Sequence, residues 1–578
     1  MVFTAPCWVP PLPSDLPDST TLEEFIFCQV KDSQTRSELD RSILICGTQG
    51  REYTVQESME RTGRLAQGLS AWLNWPQKSP GKDWKVAAIF NVNCVDFFSI
   101  SHAIHRLGGT ISAINASSTA DELEAQLRLS NAQAIFTCNT LLKIAMKASQ
   151  RVGIPLANIF LTDAPGSYRP DDVYPFQEID NIVRTAKSSL PLLQLGRGQG
   201  ASTPAYICFS SGTSGAQKPV LLSHQGIIAN IVQINTFEKF RQKGPNISLC
   251  ILPLAHSYGL VCVAYSALYR GDRLAVLPSS GVEDLLSIVE KLKINTLYLV
   301  PTLVSRILSG GKAGRHDLRC VKEVYTGGAP LHPMLGEHIL RHHPTWKIKQ
   351  CYGATEAGTA VSVTSDCDLW PGSVGCLLPG VQAKIVKSDG SETTKHDESG
   401  ELWVSSPSLA IGYLSNPLAT KTTFTVDNTG KTWLRTGDEV KICLSPNGNE
   451  HLFIVDRIKD IIKVKGFQVA PVELEQLLLS NDFVEEVAVT SRQDEGEEER
   501  PQAFVVRSQV GLEEPQGAVA ESLHALVKAR KARYKWLHPH VIFVDSLPKT
   551  TSGKIMRRAL RNMSPANSEV NSRLSSKI

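Results

Sequence analysis

The chain has 578 residues, with 60 Lys and Arg against 57 Asp and Glu and a net charge of +3, a balance that excludes a strongly basic nucleic-acid binder. A hydrophobic content of 42% with 20% charged residues excludes a disordered chain, and the length exceeds what one core can fill, so at least two domains are expected. The 13 cysteines form no CxxC pair and no His-supported cluster, which predicts reduced, mostly buried thiols and no structural metal.

The opening stretch, MVFTAPCWVPPLPSDLP, has no basic start and no unbroken apolar run, so it does not read as a secretory signal. From residue 86 the chain alternates: VAAIF, CVDFFSISHAIHRLGG, TISAI, TADELEAQLRLSN, QAIFTC, TLLKIAMKASQRVG and NIFLTD. Short β-rich runs between helix-length periodic segments predict βαβ units on a parallel sheet. A second wound sheet follows in DRLAVLP, VEDLLSIVEKLKI, NTLYLVP and VKEVYTGG. The apolar window at 249–269 carries Pro253 and His256, so it reads as strand, loop and helix and not as a membrane span. Around 370–456 the texture becomes Gly- and Pro-punctuated β runs, GELWVSS, KTWLRTGDEV and HLFIVDR. After Arg457 comes a shorter α+β stretch with VELEQLLLS, VEEVAVTSR, QAFVVRS and ESLHALVKARKARYKWL, and the acidic run 494–500 within it reads as a solvated loop. The expected fold class is therefore α/β: a large N-terminal domain, 1–456, with two wound sheets and a β-rich subdomain, a small mobile α+β domain, 457–562, and a polar tail, 563–578.

One stretch invites chemistry. AYICF reads as a strand, SSGTSGAQKP as a Gly/Ser/Thr turn, and SHQGIIANIVQINTF as a helix starting near Ser223. Glycines let backbone amides converge on anionic oxygens, hydroxyls add donors and Lys218 adds charge. The P-loop pattern is absent, because Gln217 precedes Lys218 and Pro219 follows it. Taken alone, the turn is equally an ordinary Ser/Gly loop.

Seven blocks in order, SSGTSGAQKP, YTGGAPL, QCYGATEAG, GELWV, WLRTGDEV, VDRIKDIIKVKGFQVAPVELE and LPKTTSGKIMRR, resemble the adenylate-forming family of acyl-CoA ligases, firefly luciferases and peptide-synthetase adenylation domains. The resemblance runs from about residue 50 to about residue 560. VKGFQVAPVELE and the ending Ser576-Lys577-Ile578 are most similar to the coumarate-CoA-ligase branch and to fungal acyl-CoA ligases of secondary metabolism, including those of host-selective toxin pathways. The resemblance implies that a carboxylic acid reacts with ATP to give an acyl-AMP, which coenzyme A then captures as a thioester.

By the same likeness, Ser210, Ser211, Gly212, Thr213, Ser214, Gly215 and Lys218 would hold the β- and γ-phosphates. Thr355 and Glu356 would serve the α-phosphate and Mg²⁺, with Glu356 as metal ligand. Gly327, Gly328, Ala329 and Pro330 would border the adenine, with Tyr352 stacking and Gly353 beside it. Asp438 and Arg457 would hold the ribose. Lys554, in a flexible polar loop, would stabilise the carboxylate and α-phosphate during adenylation. A hinge at Lys459 would then rotate the small domain, bringing Lys463, Lys465, Gly466 and Gln468 to the site. His256 would gate the coenzyme A tunnel, and the acyl pocket would lie among His256, Ser257, Tyr258, Gly259, Leu303, Gly328 and Val361. These are small or apolar positions that suit an aryl acid or a medium to long, or unsaturated, fatty acid.

Taken alone, Glu356 reads as a surface-loop acid, Asp438 as a turn former, His256 as a core histidine and Lys554 as a solvated lysine. The expected partners are the carboxylic acid, ATP and coenzyme A, with no nucleic acid and no membrane span. The terminal Ser-Lys-Ile resembles a peroxisomal address read by an import receptor, with an accidental tail as the alternative. Two departures from the family stand out: Pro219, which stiffens the loop and removes an amide donor, and Cys351, where glycine is usual. Rival functions are acyl transfer to a carrier-protein thiol, a luciferase-like oxygenase on the same fold and a non-catalytic nucleotide sensor.

Overall fold

The computed structural model describes residues 1–32, 41–78, 81, 84–162, 176–211, 217–239, 246–278, 281–308, 314–329, 331, 333–464, 467–493, 499–550 and 554–563. Each alternating run becomes the element it predicts. Val86–Asn91 is buried at every residue and pairs in parallel with Thr110–Asn115 and Ala134–Thr137. A strand covered on both faces needs no polar alternation, which is why it reads as a continuous apolar run. The helices Val55–Leu73 and Ala120–Ser130 start at capping boxes, Thr54 with Glu57 and Thr119 with Glu122, where each side chain satisfies an amide that the first turn leaves open.

The eight described strands of the first sheet run Gly412–Tyr413, Gln217–Ser223, Pro204–Ser211, Thr110–Asn115, Val86–Asn91, Ala134–Thr137, Ile159–Leu161, Gln177–Glu178. The second sheet has nine, running Cys376–Leu377, Thr359–Val363, Lys347–Ala354, Glu323–Gly327, Thr296–Leu299, Ile247–Cys250, Arg273–Val276, Ser42–Cys46, Glu52–Thr54. The helix His224–Lys239 links the two layers. Its Asn230 amide donates to Ala360 O at 2.9 Å and accepts from Ala360 N at 3.0 Å, so a fully buried polar side chain is paired on both sides. The β-rich region is a third, antiparallel sheet built on the long strand Thr432–Leu444.

After the last strand of that sheet, Glu450–Arg457, the small α+β part has its own core. Leu474, Val487, Val505, Leu523 and Val527 cluster apart from the cores of the large sheets. Of the acidic run, Glu499 and Arg500 open the strand Glu499–Arg507, and 494–498 lie outside the described residues. No helix among the described residues is long and apolar enough to cross a membrane.

One expectation is corrected. The phosphate-type turn does not lead straight into a helix: a second strand, Gln217–Ser223, returns antiparallel along Pro204–Ser211, with Lys218 opposite Ser210 and Pro219 opposite Phe209. Pro219 drives Lys218 into the extended region, and Val220, Leu221 and Leu222 are buried in the sheet. The helix begins at His224, close to the expected start near Ser223, but after the intervening strand. The apolar window also differs in detail: after the strand Ile247–Cys250 it forms a π-helix, Tyr258–Tyr265, that passes into the α-helix Ser266–Arg270. Wide turns of this kind occur at functional sites.

Candidate active site

The strands of the glycine-rich hairpin and the turn Thr355–Ala357 come from different sheets and share Tyr413 as a neighbour. Ser210 sits where the hairpin strand enters the turn, and its Oγ is buried with no hydrogen-bond partner among the described residues, a cost unless a ligand oxygen accepts from it. The Lys218 ammonium lies 4.9 Å from the Tyr413 ring centroid. The Tyr413 hydroxyl donates to Glu356 Oε1 at 2.9 Å, so the predicted phosphate cation and the predicted metal carboxylate share one aromatic neighbour. Gly212, Thr213, Ser214 and Gly215 lie outside the described residues.

Beside Glu356, Thr355 Oγ1 is 3.2 Å from Ser257 Oγ, which joins the adenylation turn to the start of the π-helix. Two close approaches require glycine here. A Cβ on Gly353 would stand 1.6 Å from Thr359 O, and one on Gly327 would stand 2.9 Å from Tyr258 Cζ and 3.1 Å from Cys351 O. The Cys351 thiol meets the Cys262 thiol on the π-helix, and Cys262 is pushed up by burial and by that bond.

Around Asp438 the polar groups form a chain. Tyr352 Oη donates to Asp438 Oδ2 at 2.7 Å, Asp438 stands opposite Arg457 in the antiparallel pair, and Arg457 Nε lies 3.2 Å from Asp438 Oδ1. Burial and the Asp438 charge hold the Tyr352 phenol well above its ordinary value, so it stays a donor. Each carboxylate oxygen has a further lone pair for a hydroxyl. Sequence reasoning placed Tyr352 as a stacking residue; the structure adds that it orients Asp438.

Lys554 arrives from the small domain. Its backbone closes a tight turn with Thr550, Lys554 N donating to Thr550 Oγ1 at 3.1 Å and Thr550 N to Lys554 O at 2.7 Å. Burial, then the Arg457 charge, pull its ammonium from 10.5 down to about 7, against the opposing pull of Asp438. His256 lies within the field of the same lysine: burial and Lys554 lower its imidazole to about 4. His256 Nδ1 accepts from Tyr258 N at 3.2 Å, which leaves the proton of the neutral ring on Nε2. Asp438 with Arg457, His256 and Lys554 thus converge from segments far apart in sequence.

The pocket residues do not all fall together. Tyr258 and Val361 belong to the first large core cluster, and Ser257 and Gly259 flank Tyr258, where a Cβ on Gly259 would stand 2.4 Å from Pro253 O. Gly328, with φ of +80°, follows Gly327, and Ala329 is partly buried. Leu303, on the helix Pro301–Leu308, packs instead with the second cluster, around Leu297 and Val324. Pro330, Lys465, Gly466, Ser576, Lys577 and Ile578 lie outside the described residues; Lys463 and Gln468 face each other across the hairpin Ile462–Val464 and Phe467–Val469. Lys459 occupies the turn whose Arg457 carbonyl accepts from Asp460 N at 2.8 Å and Ile461 N at 3.1 Å. Tyr413 was missed from sequence, where Gly-Tyr between two β runs carries no signal of chemistry.

The chain belongs to the AMP-binding enzyme family, whose description matches residues 31–414, and the AMP-binding enzyme C-terminal domain matches residues 473–554. Among its relatives it is 93% identical over 578 residues to the acyl-CoA ligase AKT1 of Alternaria alternata, covering 100% of both chains. It is 34% identical over 570 residues to the acyl-CoA ligase easD of Emericella nidulans, covering 97% of this chain and 100% of that one. The fold resembles the anthranilate CoA ligase AuaEII in complex with anthranoyl-AMP, with a TM-score of 0.80 at 21% identity over 96% of this chain and 99% of that one. It also resembles a benzoate CoA ligase from Burkholderia xenovorans LB400, with a TM-score of 0.76 at 22% identity over 94% of this chain and 100% of that one.

Proposed function

We propose that the protein is an ATP-dependent acyl-CoA ligase that activates a carboxylic acid as its acyl-AMP and transfers the acyl group to coenzyme A, an acid–thiol ligation. The observation that carries this reading is the convergence of Lys554 from the small domain with His256, Asp438 and Arg457 from the large one. A carboxylate attacking an α-phosphate accumulates negative charge, and a pre-placed cation with fixed hydroxyl donors stabilises that charge without reorganisation. Lys554 supplies the cation, Thr355 a hydroxyl, and Lys218 with Ser210 the grip on the departing pyrophosphate. Asp438, oriented by Tyr352 and Arg457, holds the ribose. Neutral His256 at the start of the π-helix separates the acyl side from the path of the thiol.

Glu356 and Thr355 offer carboxylate and hydroxyl oxygens, a hard donor set that fits Mg²⁺. Mg²⁺ bound there would neutralise phosphate charge. No group of three or more His, Cys, Asp or Glu able to hold a metal occurs among the described residues.

The small and apolar positions around Tyr258 and Val361 support an aryl or fatty acid substrate, and the likeness to fungal ligases supports a place in secondary metabolism of the toxin-forming kind. The terminal Ser-Lys-Ile supports peroxisomal import; a reporter carrying that tripeptide that stays cytosolic would remove this part of the reading. The central test is pyrophosphate release with aryl, medium-chain and long-chain acids, with and without coenzyme A. Acid-dependent release with thioester product is expected. Release without thioester would favour a carrier-protein acceptor, and no release with any acid would leave a nucleotide sensor.

A further inference from the structure

We propose that Tyr413 is a positioning residue of the adenylation step, fixing the Glu356 carboxylate and the Lys218 ammonium relative to each other so that both ends of the ATP triphosphate are engaged together. The inference rests on the ligase reading above and adds a residue to it. Glu356 and Lys218 sit on different sheets, and Tyr413 touches both: its hydroxyl donates to Glu356 Oε1 at 2.9 Å, and its ring stands 4.9 Å from Lys218 Nζ.

The backbone around Tyr413 is tied the same way. On one side, Ile411 N donates to Leu221 O and Leu414 N to Pro219 O, both at 2.9 Å, with Val220 opposite Tyr413 in the antiparallel pair. On the other side, Ala410 N donates to Glu356 O at 2.9 Å and Ser408 Oγ to Ala357 O at 2.7 Å. Residues 408–414 are therefore a strap between the returning strand of the phosphate hairpin and the turn that carries Glu356. The strap fits closely: Gly412 has φ of +147°, and a Cβ there would lie 2.6 Å from Thr420 Cγ2. Thr420 Oγ1 in turn accepts from Tyr413 N at 3.0 Å.

This arrangement does more than fill space. A glutamate carboxylate turns easily about its last torsion, whereas a donor on Oε1 fixes its plane and leaves Oε2 without a bond to the tyrosine. The phenol is the only one of the two groups that carries a proton to share, so it is the donor in the bond to Glu356 Oε1. The ring face holds a cation without neutralising it, so Lys218 keeps its full charge for phosphate oxygens.

Tyr413→Phe keeps the ring, its burial and its strand pairing and removes only the hydroxyl. ATP–pyrophosphate exchange is expected to slow about tenfold or more, as for loss of a hydrogen bond to a charged group. Thioester formation from preformed acyl-AMP should be unchanged, and so should the melting temperature. In a direct binding measurement by calorimetry, the gain in ATP affinity on adding Mg²⁺ should shrink in the variant. Tyr413→Leu, which also removes the ring face, should further weaken pyrophosphate binding. Wild-type exchange and wild-type Mg²⁺ dependence in Tyr413→Phe would overturn the role, as would equal loss in both half-reactions with a lowered melting temperature. A wild-type enzyme with no acid-dependent exchange would overturn the ligase reading itself.

Discussion

Lys554 illustrates how a single side chain acquires a function from its surroundings. In the sequence it is one lysine of a basic, polar loop; in the structure it is partly buried beside Arg457, with its ammonium lowered to about 7. The sign is fixed by the shift. Because the folded value lies below the ordinary 10.5, docking this lysine as an ammonium is penalised most below about pH 7, and the penalty is lifted as pH rises toward 10.5. The proposed catalytic role runs the other way, since there only the cation would stabilise the adenylation transition state. The free-enzyme kcat/KM for acyl-AMP formation should therefore fall as pH rises through about 7, a limb that thioester formation from preformed acyl-AMP should lack. Lys554→Ala should reduce acyl-AMP formation by about a hundredfold or more and largely spare the second half-reaction. Stopped assays of the two half-reactions check both statements, and equal losses would remove the assignment.

Elements matter where two of them are forced into contact. The turn Thr355–Ala357 ends at Gly358, whose φ is +84° and whose Cβ would stand 2.1 Å from Ser408 O. Gly390 has the same φ of +84° with nothing within 4 Å of a Cβ, so it isolates the backbone strain from the steric clash. Gly358→Ala should lower the melting temperature clearly more than Gly390→Ala, which should cost about 1 kcal/mol or a little over. Gly358→Ala should also slow pyrophosphate exchange by displacing Glu356 from Tyr413. Equal melting temperatures in a thermal scan would mean that the strap yields without cost. The returning strand Gln217–Ser223 belongs to this scale too. Its Pro219 was legible as a stiffening residue, but not as a rung between two neighbouring strands, because strand partners such as Ile411 and Leu414 lie far along the chain.

At the scale of the whole molecule, two separately cored parts are joined by a short turn. The turn at Lys459 is held by Arg457 O, which accepts from Asp460 and Ile461 amides, neither of which a proline at 459 removes. Arg561 Nη2 also meets Asp460 Oδ1 at 3.0 Å. The observed arrangement places Lys554 near Asp438 and Arg457, while Lys463 and Gln468 pair across the two-stranded hairpin of the small part. A rotation about this turn is the proposed route by which those residues would serve thioester formation. Lys459→Pro fixes φ there, so acyl-AMP formation should persist while thioester formation falls at least tenfold. Unchanged rates in both steps would place the hinge elsewhere.

The sequence by itself determined the α/β alternation, the β-rich third layer and the small terminal domain, because periodicity and burial are local properties of each run. It also named the adenylate-forming likeness, because close approaches such as Gly353 against Thr359 restrict residue choice within a short motif. Tertiary structure alone decided that the phosphate turn is a hairpin rather than a helix entrance, that Leu303 packs with the second core, that Tyr352 orients Asp438, and that Tyr413 joins Lys218 to Glu356. Each of these depends on pairing between residues far apart in the chain, and no local pattern encodes which distant partner a strand or hydroxyl will meet.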